Sequence, residues 1–306
     1  MSVSQDALPY KEPSGSLRAS YSSISTPVYT EGTGRSTGLD ERYELNSFVR
    51  NERKNTCLIV NIEAFDTLPY RNGAAEDTKK IHALFDELGF TCMLVTANGV
   101  VNYADVQEAT GRPGNRLTRR DIHKAIKDVK EKIDSESDIF ACWIMSHGKR
   151  GHIVGSDNEE VYLDEILQEF TEKGCEKLKG KPKLFFVQAC QAPGEDEEDN
   201  DKCWDYDITP YADFFVGFST PSGYVSYRDT IEGSFYIKAM DKVFRSCLER
   251  SSSVDFTRVM TLVGNDVAIN FKATRDDERV VTQMPCYVSS LVKRIFLSKA
   301  APRTSP

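Results

Sequence analysis

A chain of 306 residues can form one large or two small domains, with a core that needs no disulfide or metal staple. Its 39 Lys and Arg against 47 Asp and Glu leave a net charge of −8, which argues against nucleic acid or an anionic membrane as a partner held by bulk charge. Eight cysteines without a CxxC pair fit neither a zinc module nor a small disulfide scaffold, and the longest apolar runs fall far short of a membrane span. Free thiols in a cytoplasmic or nuclear protein are expected, and no metal or organic cofactor is implied.

About a third of residues 1–40 are Ser or Thr, without apolar periodicity, so residues 1–52 are expected to be a disordered leader. Short apolar runs then alternate with amphipathic ones. TCLIVNI at 56–62 reads as a buried strand, and 74–88 as a helix with Ile81, Leu84, Phe85 and Leu88 on one face. A strand is expected at 90–96, a helix at 117–133, a strand at 139–145, a helix at 161–170 and a strand at 183–189. The segment 194–207 has no period and is strongly acidic. Order is expected to resume with a strand at 213–219, helices at 233–248 and 255–271, and an edge or interface strand at 284–297. Strands that are apolar throughout, separated by helices, predict an α/β fold: a mainly parallel six-stranded sheet covered by helices on both faces, a three-layer sandwich.

Sites in such folds sit at the carboxyl ends of strands. IFACWIM runs directly into Ser146-His147-Gly148, and KLFFVQA into Cys190. A thiol and an imidazole there suit a nucleophilic pair, because the imidazole takes the thiol proton and later protonates a leaving group. The N–H groups of Gly148 and Cys190 could then stabilise an oxyanion. The plainer alternative is that Cys190 is a small buried hydrophobe. Among the other histidines, His82 and His123 lie within helix patterns, and His152, after a turn, is the competitor to His147.

QAC at 188–190, with SHG at 146–148 some forty residues upstream, resembles the caspase signature. YRNGAAED at 70–77, KPKLFFVQAC at 181–190, ADFFVGFSTPSGYVSYR at 212–228, EGSFY at 232–236 and QMPCYVSSL at 283–291 agree in order and spacing, so the resemblance covers about residues 50–298. It implies a cysteine endopeptidase cutting after Asp, made as a zymogen: a leader at 1–52, a large catalytic subunit at 53–193, a cleavable linker at 194–207, a small subunit at 208–298 and a flexible tail at 299–306. By this resemblance Cys190 is the nucleophile, His147 the acid and base, and Gly148 part of the oxyanion hole. Arg71, Gln188 and Arg228 make the Asp pocket, with forked guanidiniums suited to a carboxylate. The implied partners are protein substrates with Asp before the scissile bond, a second copy in a homodimer, an upstream activating caspase and protein inhibitors of caspases.

Three features depart from the pattern. Ala192 stands where most relatives have Gly, so the backbone after the nucleophile is expected to be strained or differently folded. Asp229 stands where executioners usually carry Asn, and like charge there disfavours an acid three positions before the cut. Tyr227 replaces the usual Trp of the neighbouring subsite, and 271–283 lacks an aromatic-rich loop; a preference less strict than DExD follows. DEED at 196–199, before Asn200, reads as an activation site cut after Asp199, with Asp201, Asp205 and Asp207 weaker; Asp6 and Asp40 are candidate sites for removal of the leader. The short leader favours an executioner role, and a non-catalytic homologue that regulates true caspases remains the alternative. Eight acids and one Lys in 194–207 supply −7 of the −8 net charge, which marks an accessible tether rather than a property of the folded body.

Overall fold

Apolar runs of five to seven residues must bury both faces, and here they do so by stacking side by side between helices. The computed structural model describes residues 3–5, 44–46, 54–106, 114–192, 211–274 and 280–300. The acidic segment and Asp6, Asp40, Asp199, Asp201, Asp205 and Asp207 lie outside these residues. In chain order the elements begin with β1 (Val3–Gln5), β2 (Glu44–Asn46), β3 (Asn55–Asn61), α1 (Ala74–Glu87), β4 (Phe90–Thr96), β5 (Gly99–Asn102) and α2 (Arg119–Lys132). There follow β6 (Phe140–Met145), β7 (Gly148–Lys149), β8 (His152–Val154), β9 (Glu160–Tyr162), α3 (Leu163–Gln168), β10 (Lys183–Gln188), β11 (Phe214–Phe218), β12 (Tyr227–Asp229) and β13 (Gly233–Ser234). Last come α4 (Phe235–Arg250), β14 (Ser253–Asp255), α5 (Phe256–Asn270), β15 (Ala273–Thr274), β16 (Val280–Val281), β17 (Cys286–Ser289) and β18 (Arg294–Ser298).

The central sheet runs β17-β11-β10-β6-β3-β4-β5. Its five inner strands are parallel, and β17 and β5 close the two edges antiparallel. Successive residues of β6 point to opposite faces. Ala141, Trp143 and Met145 join the layer containing Ile81, Phe85, Met240 and Val263 of α1, α4 and α5, whereas Phe140, Cys142 and Ile144 join Ile122, Ile126 and Ile166 of α2 and α3. Trp143 is fully buried against Phe186, ring centroids 4.4 Å apart. Thr118 starts α2 with a capping box: its Oγ1 accepts from Asp121 N–H at 3.2 Å, and Asp121 Oδ2 accepts from Thr118 N–H at 3.0 Å.

The sheet has one strand beyond the expected six, because Ala97-Asn98 turns the chain so that Thr96 pairs with Gly99 and β5 folds back on β4. Two expectations are corrected in their bounds. The helix expected at 161–170 is shortened, since Glu160–Tyr162 pair with β8 and helix begins only at Leu163. The 284–297 segment divides: Cys286–Ser289 form the edge beside β11, and Arg294–Ser298 turn away to pair with β14 and β2. The leader, expected to lack regular structure, contributes β1 and β2; pairing at a strand edge uses backbone groups and needs no apolar periodicity.

Candidate active site

The register of the central sheet decides which residues meet at its carboxyl edge. Gln188 pairs with Met145 and Met145 with Asn61, so β10, β6 and β3 end level. His147 and Cys190 each follow two residues beyond these ends, on adjacent strands. A Cβ on Gly148 would lie 2.8 Å from His152 O, 3.0 Å from Ala189 Cβ and 3.3 Å from Cys190 O, so only glycine lets the two strand exits come together. Val154 N–H donates to His147 O at 2.9 Å. The next rung, Gly148 with Ile153, is therefore the non-hydrogen-bonded one, and the Gly148 N–H is directed away from β8.

His147 is held by Pro69, whose carbonyl lies 2.8 Å from Nε2. A carbonyl only accepts, so Nε2 carries the proton and the lone pair is on Nδ1. Nδ1 is buried and has no hydrogen-bond partner among the described residues. Burial and then the Arg71 cation lower the imidazole pKa to about 4, against the opposing Pro69 bond, so His147 is neutral at pH 7.

Cys190 is 0% exposed. Ser226 N–H donates to its Sγ at 3.0 Å, and Sγ donates to Ser226 O at 3.6 Å. Burial pushes the thiol up to about 12, with the Ser226 N–H and Arg71 pulling the other way. The thiol is thus bonded to Ser226 rather than to the imidazole, and both members of the pair are uncharged. Ala192 is buried and its carbonyl accepts from Arg150 N–H at 3.1 Å. Among the described non-glycine residues only Asn158 and Asp213 have positive φ, so the strain expected at Ala192 is absent.

Two guanidiniums converge on this edge, Arg71 at 0% and Arg228 at 1% exposure. Arg71 donates from Nη1 to Asn61 Oδ1 at 2.9 Å and to Ile62 O at 2.8 Å; Arg228 donates from Nε to Asn72 O at 2.7 Å. Their approach is set by Gly73, at φ 84°, where a Cβ would lie 2.4 Å from Asp229 O. Burial lowers both to about 10, and Arg71 is partly restored by Asp77, Glu63 and Cys190, so both remain cationic at pH 7. Gln188 donates from Nε2 to Ser226 Oγ at 2.7 Å.

Tyr227 stacks on Phe271, centroids 5.4 Å apart, and its N–H donates to Gln283 Oε1 at 2.9 Å. Asp229 Oδ1 accepts from the N–H groups of Ile231 and Glu232, both at 2.8 Å, so the carboxylate also holds the turn after β12. Burial raises the Asp229 carboxyl, but those N–H groups and Lys238 hold it below its ordinary value. His152 is buried 3.4 Å from Glu160 within the β7-β8-β9 sheet; His123 lies beside Glu165 and His82 stacks on Tyr103.

Sequence reasoning missed Ser226, Asn61, Pro69, Asp77 and Gln283. Asp77 is buried and accepts from Ser234 N–H and Oγ, both at 2.6 Å, tying α1 to β13. An acid at the first turn of a predicted amphipathic helix, on its apolar side, is the signal that could have found it.

The family model described as Caspase domain matches residues 54–296. The chain belongs to the caspase family. Caspase-7 of Gallus gallus is 30% identical over 257 residues, covering 78% of this chain and 76% of that protein. Caspase-3 of Xenopus laevis is 29% identical over 273 residues, covering 85% and 87%. The crystal structure of caspase-1 from Spodoptera frugiperda superposes with a TM-score of 0.65 at 27% identity, covering 82% of this chain and 94% of that one. The sheet with helices on both faces is thus a caspase fold, and the family is one of cysteine peptidases.

Proposed function

We propose that this caspase is a cysteine endopeptidase that cuts protein substrates after Asp. The observation that carries the reading is the meeting of Cys190, His147 and two buried arginines at one sheet edge. In this mechanism a substrate strand adds to β12 and its Asp carboxylate enters between Arg71 and Arg228, with Gln188 as a neutral donor. Sγ turns from Ser226 O toward His147 Nδ1, gives up its proton and attacks the Asp carbonyl carbon. The Gly148 and Cys190 N–H groups receive the oxyanion, His147 returns the proton to the leaving amine, and water hydrolyses the thioester. Asn or Ala in place of the substrate Asp brings no negative charge of its own to these two buried cations.

The zymogen, executioner and apoptotic reading extends this. Cleavage in 194–207, after Asp199 first, separates large and small subunits; intact mass after full activation would refute it. Dimerisation across the β17 edge is supported by Tyr287 and Val288, 38% and 37% exposed on that edge strand. A cytoplasmic site of action accords with seven described cysteines that are all free thiols. A second reading, a non-catalytic or weakly active homologue acting by heterodimerisation, draws on the Cys190 thiol being bonded to Ser226. A peptide library presented to wild type and Cys190→Ala decides: Asp-directed cleavage lost in the variant supports the enzyme, and activity unchanged in the variant or absent in both overturns it.

A further inference from the structure

Asn61 ends β3, level with Met145 of β6 and Gln188 of β10 at the edge where the reacting pair meets. It is buried, and both ends of its side-chain amide are bonded. Oδ1 accepts from Arg71 Nη1 at 2.9 Å, and Nδ2 donates to Ala74 O and to Thr78 Oγ1, both at 2.8 Å. A guanidinium only donates and a carbonyl only accepts, so these partners fix which end of the amide faces Arg71. Ala74 and Thr78 belong to the first two turns of α1. The backbone of Asn61 is held as well, since Asn115 Nδ2 donates to its carbonyl at 2.8 Å and to Val95 O of β4 at 2.9 Å.

We propose that Asn61 is a positioning residue that sets the preference for substrate Asp, aiming Arg71 at the bound carboxylate without adding charge to the pocket. The inference rests on the peptidase reading and deepens it by naming what holds one of the two pocket cations in its aim. Arg71 Nη1 is gripped by two neutral oxygens, Asn61 Oδ1 and, at 2.8 Å, Ile62 O. Both belong to β3 or to the residue that follows it, so the guanidinium is indexed to the central sheet. The group is planar, and anchoring one nitrogen on two oxygens fixes the plane in which its other N–H groups point. The charge matters as much as the direction. Burial opposes the charged form of Arg71, while Asp77 and Glu63 favour it through space. A carboxylate at position 61 would be a further acid, in direct contact with Nη1, and a substrate Asp would have to compete with it. An amide holds the same place and leaves that competition out.

Asn61→Asp keeps the shape of the side chain and exchanges its amide for a charge. Matched reporter peptides with Asp or Asn before the cut give kcat and KM for wild type and variant. Labelled forms of the same peptides give Kd for the Cys190→Ala chain with and without Asn61→Asp. The preference for Asp over Asn in kcat/KM should fall by about 10–100-fold in Asn61→Asp, chiefly through a higher KM for the Asp peptide. The Asn peptide should lose less, because it brings no charge to be refused. Kd for the Asp peptide should weaken by at least about tenfold. Asn61→Ala removes the aim without adding charge and should lower the preference by a smaller factor, about threefold to tenfold. Where Asn61→Asp shows no cooperative unfolding in urea, Asn61→Ala decides by the same ratio.

A merely structural role predicts equal losses with both peptides, since a loosened pocket serves neither. Equal losses, or an unchanged preference in the folded variants, overturn the inference and leave the peptidase reading intact where wild type cuts after Asp. An inert wild type, with Asp-selective binding by Cys190→Ala that weakens when Asn61→Asp is added, overturns the peptidase reading and upholds the role of Asn61 in recognition. Equal Asp selectivity in binding with and without Asn61→Asp overturns that role whatever the turnover.

Discussion

Ser226 N–H donates to Cys190 Sγ at 3.0 Å, and this contact joins the strand exit that carries the thiol to the strand a substrate would pair with. Burial, against the pull of that N–H, holds the resting thiol up at about 12. Iodoacetamide at pH 7.5 should therefore modify Cys190 of the intact chain at least about a hundredfold more slowly than an exposed cysteine. Peptide mass spectrometry over time measures this, and modification at the exposed rate would contradict the buried neutral thiol.

Much of the fold could be read from the sequence because its strands are apolar throughout and its helices amphipathic. The five inner strands, and Cys190 and His147 just after two of them, needed no structure to be found. Strand β5 was missed because four residues of mixed polarity carry no period; only the Asn98-Gly99 turn hints at it. The division of 284–297 was hidden because two short strands in different sheets share one apolar text. Ser226 meets Cys190, and Pro69 meets His147, through backbone atoms that any residue supplies, so side-chain chemistry could not reveal those two contacts. The β1 pairing was hidden for the same reason.

Arg228 and Arg71 are both buried and cationic, so an Asp side chain should gain from both while Asn gains little. Wild type should prefer Asp to Asn before the cut by about 10²–10⁴ in kcat/KM. Arg228→Gln should lower kcat/KM for the Asp peptide by about a hundredfold or more and shrink that preference, because one of two cations is gone. Matched reporter peptides measure both ratios, and an unchanged preference would remove Arg228 from the pocket.

Asp229 faces the far end of a strand added to β12, and its carboxylate is held ionised by the Ile231 and Glu232 N–H groups. A peptide acid at that place meets like charge. Peptides differing only three positions before Asp should therefore be cut at least as fast with Val or Leu as with Asp, and Asp229→Asn should raise turnover of the acidic peptide several-fold. A strong preference of wild type for Asp over Val would contradict this.

His147 and Asp77 should give the fold opposite pH dependences. The folded His147 pKa is lowered to about 4 from the ordinary 6.5, so between these values the unfolded chain binds the extra proton and stability is lost as pH falls. Asp77 is raised to about 6 from 3.8, chiefly by burial; there the folded chain binds the extra proton, and stability is lost as pH rises through 6. Urea unfolding at pH 4.5 and 6.5 of wild type, His147→Asn and Asp77→Asn separates the two, since other carboxylates contribute equally to each chain. On acidification wild type should lose roughly 2 kcal/mol relative to His147→Asn and gain roughly 2 kcal/mol relative to Asp77→Asn. Asp77→Asn keeps an oxygen for Ser234 N–H, so it should fold, whereas Asp77→Ala leaves Ser234 N–H and Oγ buried without acceptors. Parallel pH curves for wild type and His147→Asn would mean that the imidazole is not held neutral, and the proton acceptor assigned to Nδ1 would then be absent at pH 6.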